Sequence, residues 1–123
     1  MPSALVVDDS VAQARSTAAA LGRAGYKPIF VATDWAECRS HLSVDAPDLV
    51  VLDVHMGGQM SADVMLPQLK RFPGCAKARF VLYSALKPQD LAAIGRRCGA
   101  DGVALKGQEH EDAFLKVCVD LVP

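Results

Sequence analysis

Five short apolar runs, Ala4–Val7, Pro28–Ala32, Leu49–Leu52, Phe80–Tyr83 and Val103–Leu105, alternate with longer stretches whose apolar residues recur at helical spacing. Strict alternation of strand and helix predicts a parallel sheet with helices on both faces, because each crossover between parallel strands covers the sheet as it returns. The run Leu49-Val50-Val51-Leu52 carries no polar residue at alternate positions, as expected of a strand buried on both sides. The expected class is a doubly wound, five-stranded α/β fold.

The intervening segments carry helix signals of unequal strength. Val11, Ala14, Ala18 and Leu21 form one stripe, opened by Ser10 and Gln13 in a capping-box arrangement and stopped by Gly22 and Gly25. Trp35, Cys38 and Leu42 form a second, with Asp34 and Glu37 at its start and Pro47 in the turn that follows. Leu91, Ile94 and Cys98 follow Pro88, which suits a first helical position. Phe114, Val117, Cys118 and Leu121 make the clearest stripe. The third helix is expected over Ser61 to Phe72, where Pro67 would remove a helix bond or force a kink.

At 123 residues the chain is long enough for one well-buried core, so a single domain over residues 1–123 is expected. Thirteen basic and fourteen acidic residues leave a net charge of -1, which gives no field to draw the chain onto nucleic acid or an anionic membrane. Cys38, Cys75, Cys98 and Cys118 stand singly, without metal-ligand spacing, and read as reduced thiols. The opening Met-Pro-Ser-Ala leads into an apolar run of four residues ending at two aspartates, which fits neither a signal peptide nor a membrane span. A cytoplasmic location is the expectation.

In an open parallel α/β sheet the ligand site lies beyond the carboxyl ends of the strands. Those ends carry Asp8-Asp9 after the first run, Asp53 after the third, Ser84 after the fourth and Lys106 after the fifth. Helix capping accounts poorly for Asp8 and Asp9, since Ser10 with Gln13 already supplies a cap. Three carboxylates at one sheet edge repel unless a cation or protons neutralise them, and an all-oxygen donor set suits magnesium. Asp53 can then act as a nucleophile toward phosphorus, with Lys106 supplying a cation and Ser84 a hydrogen bond to the transferred group.

The segments Ala4-Leu5-Val6-Val7-Asp8-Asp9-Ser10, Ala46-Pro47-Asp48-Leu49-Val50-Val51-Leu52-Asp53 with Met56 beyond it, Tyr83-Ser84-Ala85, and Gly99-Ala100-Asp101-Gly102 leading to Lys106 occur in that order. Together they resemble the CheY-like response-regulator receiver domain of bacterial two-component systems. The resemblance implies a flavodoxin-like sheet of order 2-1-3-4-5 and a phosphoryl group received on Asp53 from a histidine kinase or phosphotransfer protein. It implies Mg2+ held by Asp8, Asp9, Asp53 and the backbone carbonyl of His55, with Ser84 and Lys106 sensing the phosphoryl oxygens. It also implies output to a downstream protein through the face made by helix 4, strand 5 and helix 5. A signalling switch is expected, not an enzyme.

Three positions depart from the family pattern. Val103 stands where receivers usually carry an aromatic switch residue, so a different output route is expected. Gly107 stands where proline usually follows the lysine, and a cis bond without proline costs about 2.5–4 kcal/mol, so the loop after strand five is expected to differ. Gly57 replaces the proline usual after Met56, and Gly57-Gly58-Gln59 should give the third helix a more mobile start. Val103 and Gly107 keep one alternative open, a pseudo-receiver that acts as a phosphorylation-independent interaction module. A haloacid-dehalogenase-like phosphatase would need an acid at position 55, where His stands, and a flavodoxin-type flavin site would be repelled by Asp8-Asp9.

Overall fold

The computed structural model describes residues 2–123; Met1, the first residue of the expected 1–123 domain, lies outside the described residues. The strands are β1 (Ala4–Val7), β2 (Ile29–Ala32), β3 (Leu49–Leu52), β4 (Arg79–Ser84) and β5 (Gly102–Leu105). The helices are α1 (Val11–Arg23), α2 (Trp35–Val44), α3 (Ala62–Leu69), α4 (Pro88–Cys98) and α5 (Glu111–Leu121), and 3-10 turns occur at Pro73–Cys75 and Gln108–His110. All strand pairs are parallel and the order is β2-β1-β3-β4-β5, as expected. The strand order reverses between β1 and β3, which opens a crevice beyond their carboxyl ends.

Side-chain alternation along the strands divides the core in two. Leu5, Val7, Val50, Leu52, Phe80 and Leu82 pack toward α2, α3 and α4, with Trp35, Leu42, Leu66 and Leu91 among their partners. Ala4, Val6, Leu49, Val51, Val81, Tyr83 and Ala104 pack toward α1 and α5, against Ala14, Leu21, Phe114 and Cys118. The three inner strands are therefore apolar on both faces, which explains the unbroken run at Leu49–Leu52. All four cysteines are free and buried, and burial pushes the Cys38 and Cys118 thiols up to about 12.

Several local expectations need correction. β2 begins at Ile29, one residue after Pro28, while β4 extends to Arg79 and Ser84 and β5 starts at Gly102. Gly22 lies within α1, and the stop falls to Gly25, whose φ of 104° only glycine adopts freely. α3 ends at Leu69 and not at Phe72. Phe72 precedes Pro73, whose ring disfavours helical backbone in the residue before it, and Phe72 is extended at φ -66°, ψ 134°. Pro67 is accommodated inside α3 on its exposed side.

The first helix caps itself only in part. Ser10 Oγ accepts a hydrogen bond from the Gln13 N–H at 3.3 Å, one half of the expected box. The other half is missing, because the Ser10 N–H donates to Asp8 Oδ1 at 2.9 Å and leaves the Gln13 amide free for another partner. α2 starts at the expected residues: Asp34 accepts from the Glu37 N–H, and the Glu37 carboxylate accepts from the backbone N–H and hydroxyl of Thr33.

Candidate functional site

Backbone hydrogen bonding continues one residue past three of the strands and fixes the acids there. Asp8 N–H donates to the Ala32 carbonyl at 3.1 Å, Asp53 N–H to Val7 at 3.0 Å, and Lys106 N–H to Ser84 at 2.8 Å. Val7 pairs with Leu52, so the next residues, Asp8 and Asp53, stand side by side across the β1–β3 crevice. By alternation both follow Val6 and Val51, and Lys106 follows Ala104, so all three belong to the pleat that faces α1 and α5.

Asp8, Asp9 and Asp53 each offer a carboxylate oxygen, and these oxygens lie within 4.8 Å of one another. Asp8 is buried, Asp53 half-buried and Asp9 exposed, so the cluster opens to solvent on the Asp9 side. The Lys106 ammonium enters the cluster, with Nζ 2.6 Å from Asp8 Oδ2 and 3.3 Å from Asp53 Oδ2. Its third contact is Gln13 Oε1, at 2.7 Å. Burial raises the Asp53 carboxyl above its ordinary pKa, Lys106 opposes that rise, and the neighbouring charges of Asp8 and Asp9 add to it.

A groove of about 880 Å3 leads away from Asp53 between α1 and the start of α5, with Gln13, Thr17, Ser84, Lys106 and Glu111 in its walls. Ser84 is buried at the end of β4 and His55 is exposed in the β3–α3 loop, and both line this groove. Among the described residues neither forms a side-chain hydrogen bond to the three acids. The expected set is thus brought to one edge, with Asp8, Asp9 and Asp53 clustered, Lys106 paired with Asp8 and Asp53, and Ser84 and His55 lining the groove beside them. All donors in the acidic cluster are hard oxygens at a spacing one divalent cation can bridge, which fits the expected magnesium.

Two contributors were not legible as such. Gln13 was accounted for as a helix cap, and only the loss of the Ser10 half of the box releases it toward Lys106. Gly57 has φ 60°, and a Cβ there would stand 2.7 Å from Asp9 Oδ2, so the loop backbone passes directly against the Asp9 carboxylate. Gly57 therefore gives close approach, where mobility alone was expected. Gly107 has φ 129°, and the one cis bond among the described residues is Lys27-Pro28, so the loop after β5 is built on a glycine conformation.

The sequence model of the response regulator receiver domain matches residues 4–117. No curated protein matches the chain. Among solved structures, the chemotaxis protein CheY4 of Vibrio cholerae shares 20% identity over 99% of both chains, with a TM-score of 0.86. The signal receiver domain of a signal transduction histidine kinase from Syntrophus aciditrophicus shares 26% identity, covering 99% of this chain and 90% of that one, at a TM-score of 0.82. A response regulator from Burkholderia pseudomallei, with a phosphorylated aspartic acid, calcium ion and citrate, shares 21% identity over 95% of this chain and 66% of that one, at a TM-score of 0.79.

Proposed function

The chain belongs to the response regulator receiver domain family, and on that premise we propose that it is a two-component signalling switch phosphorylated on Asp53. The donor is the phosphohistidine of a histidine kinase or phosphotransfer protein, and the whole chain acts as one receiver domain. The observation that carries this reading is the position of Asp53, beside Asp8 and Asp9 and 3.3 Å from the Lys106 ammonium, at the mouth of an open groove. The phosphorylated aspartic acid of the Burkholderia pseudomallei neighbour supports it on the same fold.

Asp8, Asp9, Asp53 and the His55 carbonyl would hold Mg2+. When bound, the ion neutralises charge on the transferring phosphoryl oxygens and on the clustered acids. The rest of the chemistry falls to the chain. An Asp53 carboxylate oxygen attacks phosphorus as the P–N bond to the donor imidazole breaks, and the electron pair of that bond leaves with the imidazole nitrogen. Lys106 follows the charge that develops on the phosphoryl group, and Ser84 supplies a hydroxyl donor from β4. Buried free thiols fit a reducing cytoplasm. Output is assigned to the α4–β5–α5 face and a protein partner, with no nucleic-acid or membrane role for this domain.

Intact-mass measurement after incubation with a small phosphodonor tests the reading. With Mg2+ the protein should gain one phosphoryl group that base or hydroxylamine removes, and Asp53→Asn should gain none. A base-stable adduct, or undiminished labelling of Asp53→Asn, rules the assignment out. A chain that takes no phosphoryl group at all is a pseudo-receiver.

A further inference from the structure

Lys106 is held from a direction that the phosphoryl chemistry does not require. An ammonium has three N–H donors and no acceptor. In this protein two of them make short bonds, to Asp8 Oδ2 at 2.6 Å and to Gln13 Oε1 at 2.7 Å, and the ammonium stands 3.3 Å from Asp53 Oδ2 as an ion pair. Because the lysine can only donate, the Gln13 amide must present its oxygen. That side chain is available because Asp8 Oδ1 occupies the Ser10 N–H, the group a capping-box glutamine would otherwise bind.

We propose that Gln13 is a positioning residue for the Lys106 ammonium, fixing it from α1 so that its charge and remaining N–H stay beside Asp53, where the oxygens of an added phosphoryl group would lie. This rests on the reading of Asp53 as the phosphoryl acceptor. A lysine has four rotatable bonds and binds as a point charge, so one short bond to Asp8 and a longer ion pair to Asp53 leave it free to shift between the two carboxylates. A second short bond, from α1, removes that freedom. A neutral amide does so without adding negative charge beside three carboxylates, where an acid would compete with the phosphoryl group for the same cation. Gln13 acts through Lys106 and touches neither the acids nor the transferred group in this arrangement.

The test compares Gln13→Met, which has similar length and no acceptor oxygen of that kind, with Gln13→Glu, which keeps an oxygen at the same reach. The first readout is the 1H–15N signal of the Lys106 ammonium in metal-free protein, assigned by its loss in Lys106→Arg. Gln13→Met should broaden or shift that signal and Gln13→Glu should retain it. The second is the rate of Mg2+-dependent phosphorylation by phosphoramidate, which Gln13→Met should slow about five- to tenfold, the scale of one weakened bond to a charged group. The Mg2+-induced rise in melting temperature should be unchanged in Gln13→Met. An unaltered ammonium signal in Gln13→Met overturns the proposal, as does an equal loss of signal in both variants. If the wild-type protein takes no phosphoryl group while the signal still depends on Gln13, the acceptor reading fails and the anchoring of Lys106 stands.

Discussion

Val103 occupies the place where a receiver's aromatic switch residue would turn inward, and the packing above it can be measured. Gly95 on α4 is buried, and a Cβ built on it would lie 2.5 Å from Val103 Cγ1. Carbon atoms in contact keep about 3.5–4.0 Å. Overpacking of this kind costs about 1–3 kcal/mol. Against it, alanine in place of an interior helical glycine favours the helix by about 1 kcal/mol. Gly95→Ala alone should therefore lower stability by roughly 0–2 kcal/mol. In a Val103→Ala background the clashing methyl is gone, only the helix preference remains, and the same substitution should stabilise by about 1 kcal/mol. The propensity term cancels around the cycle of four proteins, which leaves a coupling of about 1–3 kcal/mol equal to the steric cost itself. Urea denaturation of the four, at a common slope, measures it. Effects that add within about 0.5 kcal/mol would refute the close approach of α4 to β5 at Val103.

In metal-free protein, Asp53→Asn should raise the melting temperature at neutral pH, because burial and the charges of Asp8 and Asp9 keep the Asp53 carboxyl raised against the pull of Lys106. A raised acid penalises the fold only where it is ionised, so the gain should shrink as pH falls through the raised pKa and vanish below the ordinary aspartate range; a gain that grows on acidification would contradict the stated cause. Mg2+ should stabilise the wild-type protein in thermal melts by binding the folded cluster, and an indifferent melting curve would separate the three acids from any metal role. Gly57→Ala should lower basal stability by about 1–2 kcal/mol, because alanine is strained at φ 60°, and should also weaken the Mg2+ effect, since its Cβ displaces the Asp9 carboxylate; equal Mg2+ titrations for both proteins would show that Asp9 accommodates it. Beryllofluoride should shift backbone NMR signals strongly near Asp9, Asp53, Ser84 and Lys106 and weakly along Leu91–Cys98 and Phe114–Leu121. Large uniform shifts over both helices would mean that a residue other than Val103 carries the signal.

The architecture was legible because this sheet is apolar on both faces. Its inner strands appear as unbroken apolar runs, and the polar exceptions Asp8, Asp9, Asp53, Ser84 and Lys106 stand at or just past the carboxyl ends of β1, β3, β4 and β5. The end of α3 was not legible from apolar spacing, because Phe72 continues the stripe and still packs on the core as a partly buried residue. The backbone decides otherwise, through Pro73. Gln13 was hidden for a different reason: its residue type and spacing suit a cap, and only the competing Asp8–Ser10 bond reveals the second use. Gly57 read as flexibility because a sequence states that a side chain is missing, not what stands where it would have been.

The pleat also separates the acidic cluster from the face proposed for output. Asp8, Asp53 and Lys106 share the parity that faces α1 and α5, whereas Val103 pairs with Leu82 and packs with the residues that face α4. Ser84 follows Leu82 by two, so among the groove residues of β4 it is the one with the parity of the α4 face. A displacement that starts at the phosphoryl oxygens and runs toward α4 along β4 must therefore pass through Ser84. Beyond it, Leu105 pairs with Ser84 and Val103 with Leu82, and the valine meets the α4 backbone at Gly95. A β-branched side chain with few rotamers, set against a buried helix glycine, has little room to yield. If Asp53 takes a phosphoryl group as proposed, a pull on Ser84 would therefore end at a packed valine that ties α4 to β5, where no ring stands to move.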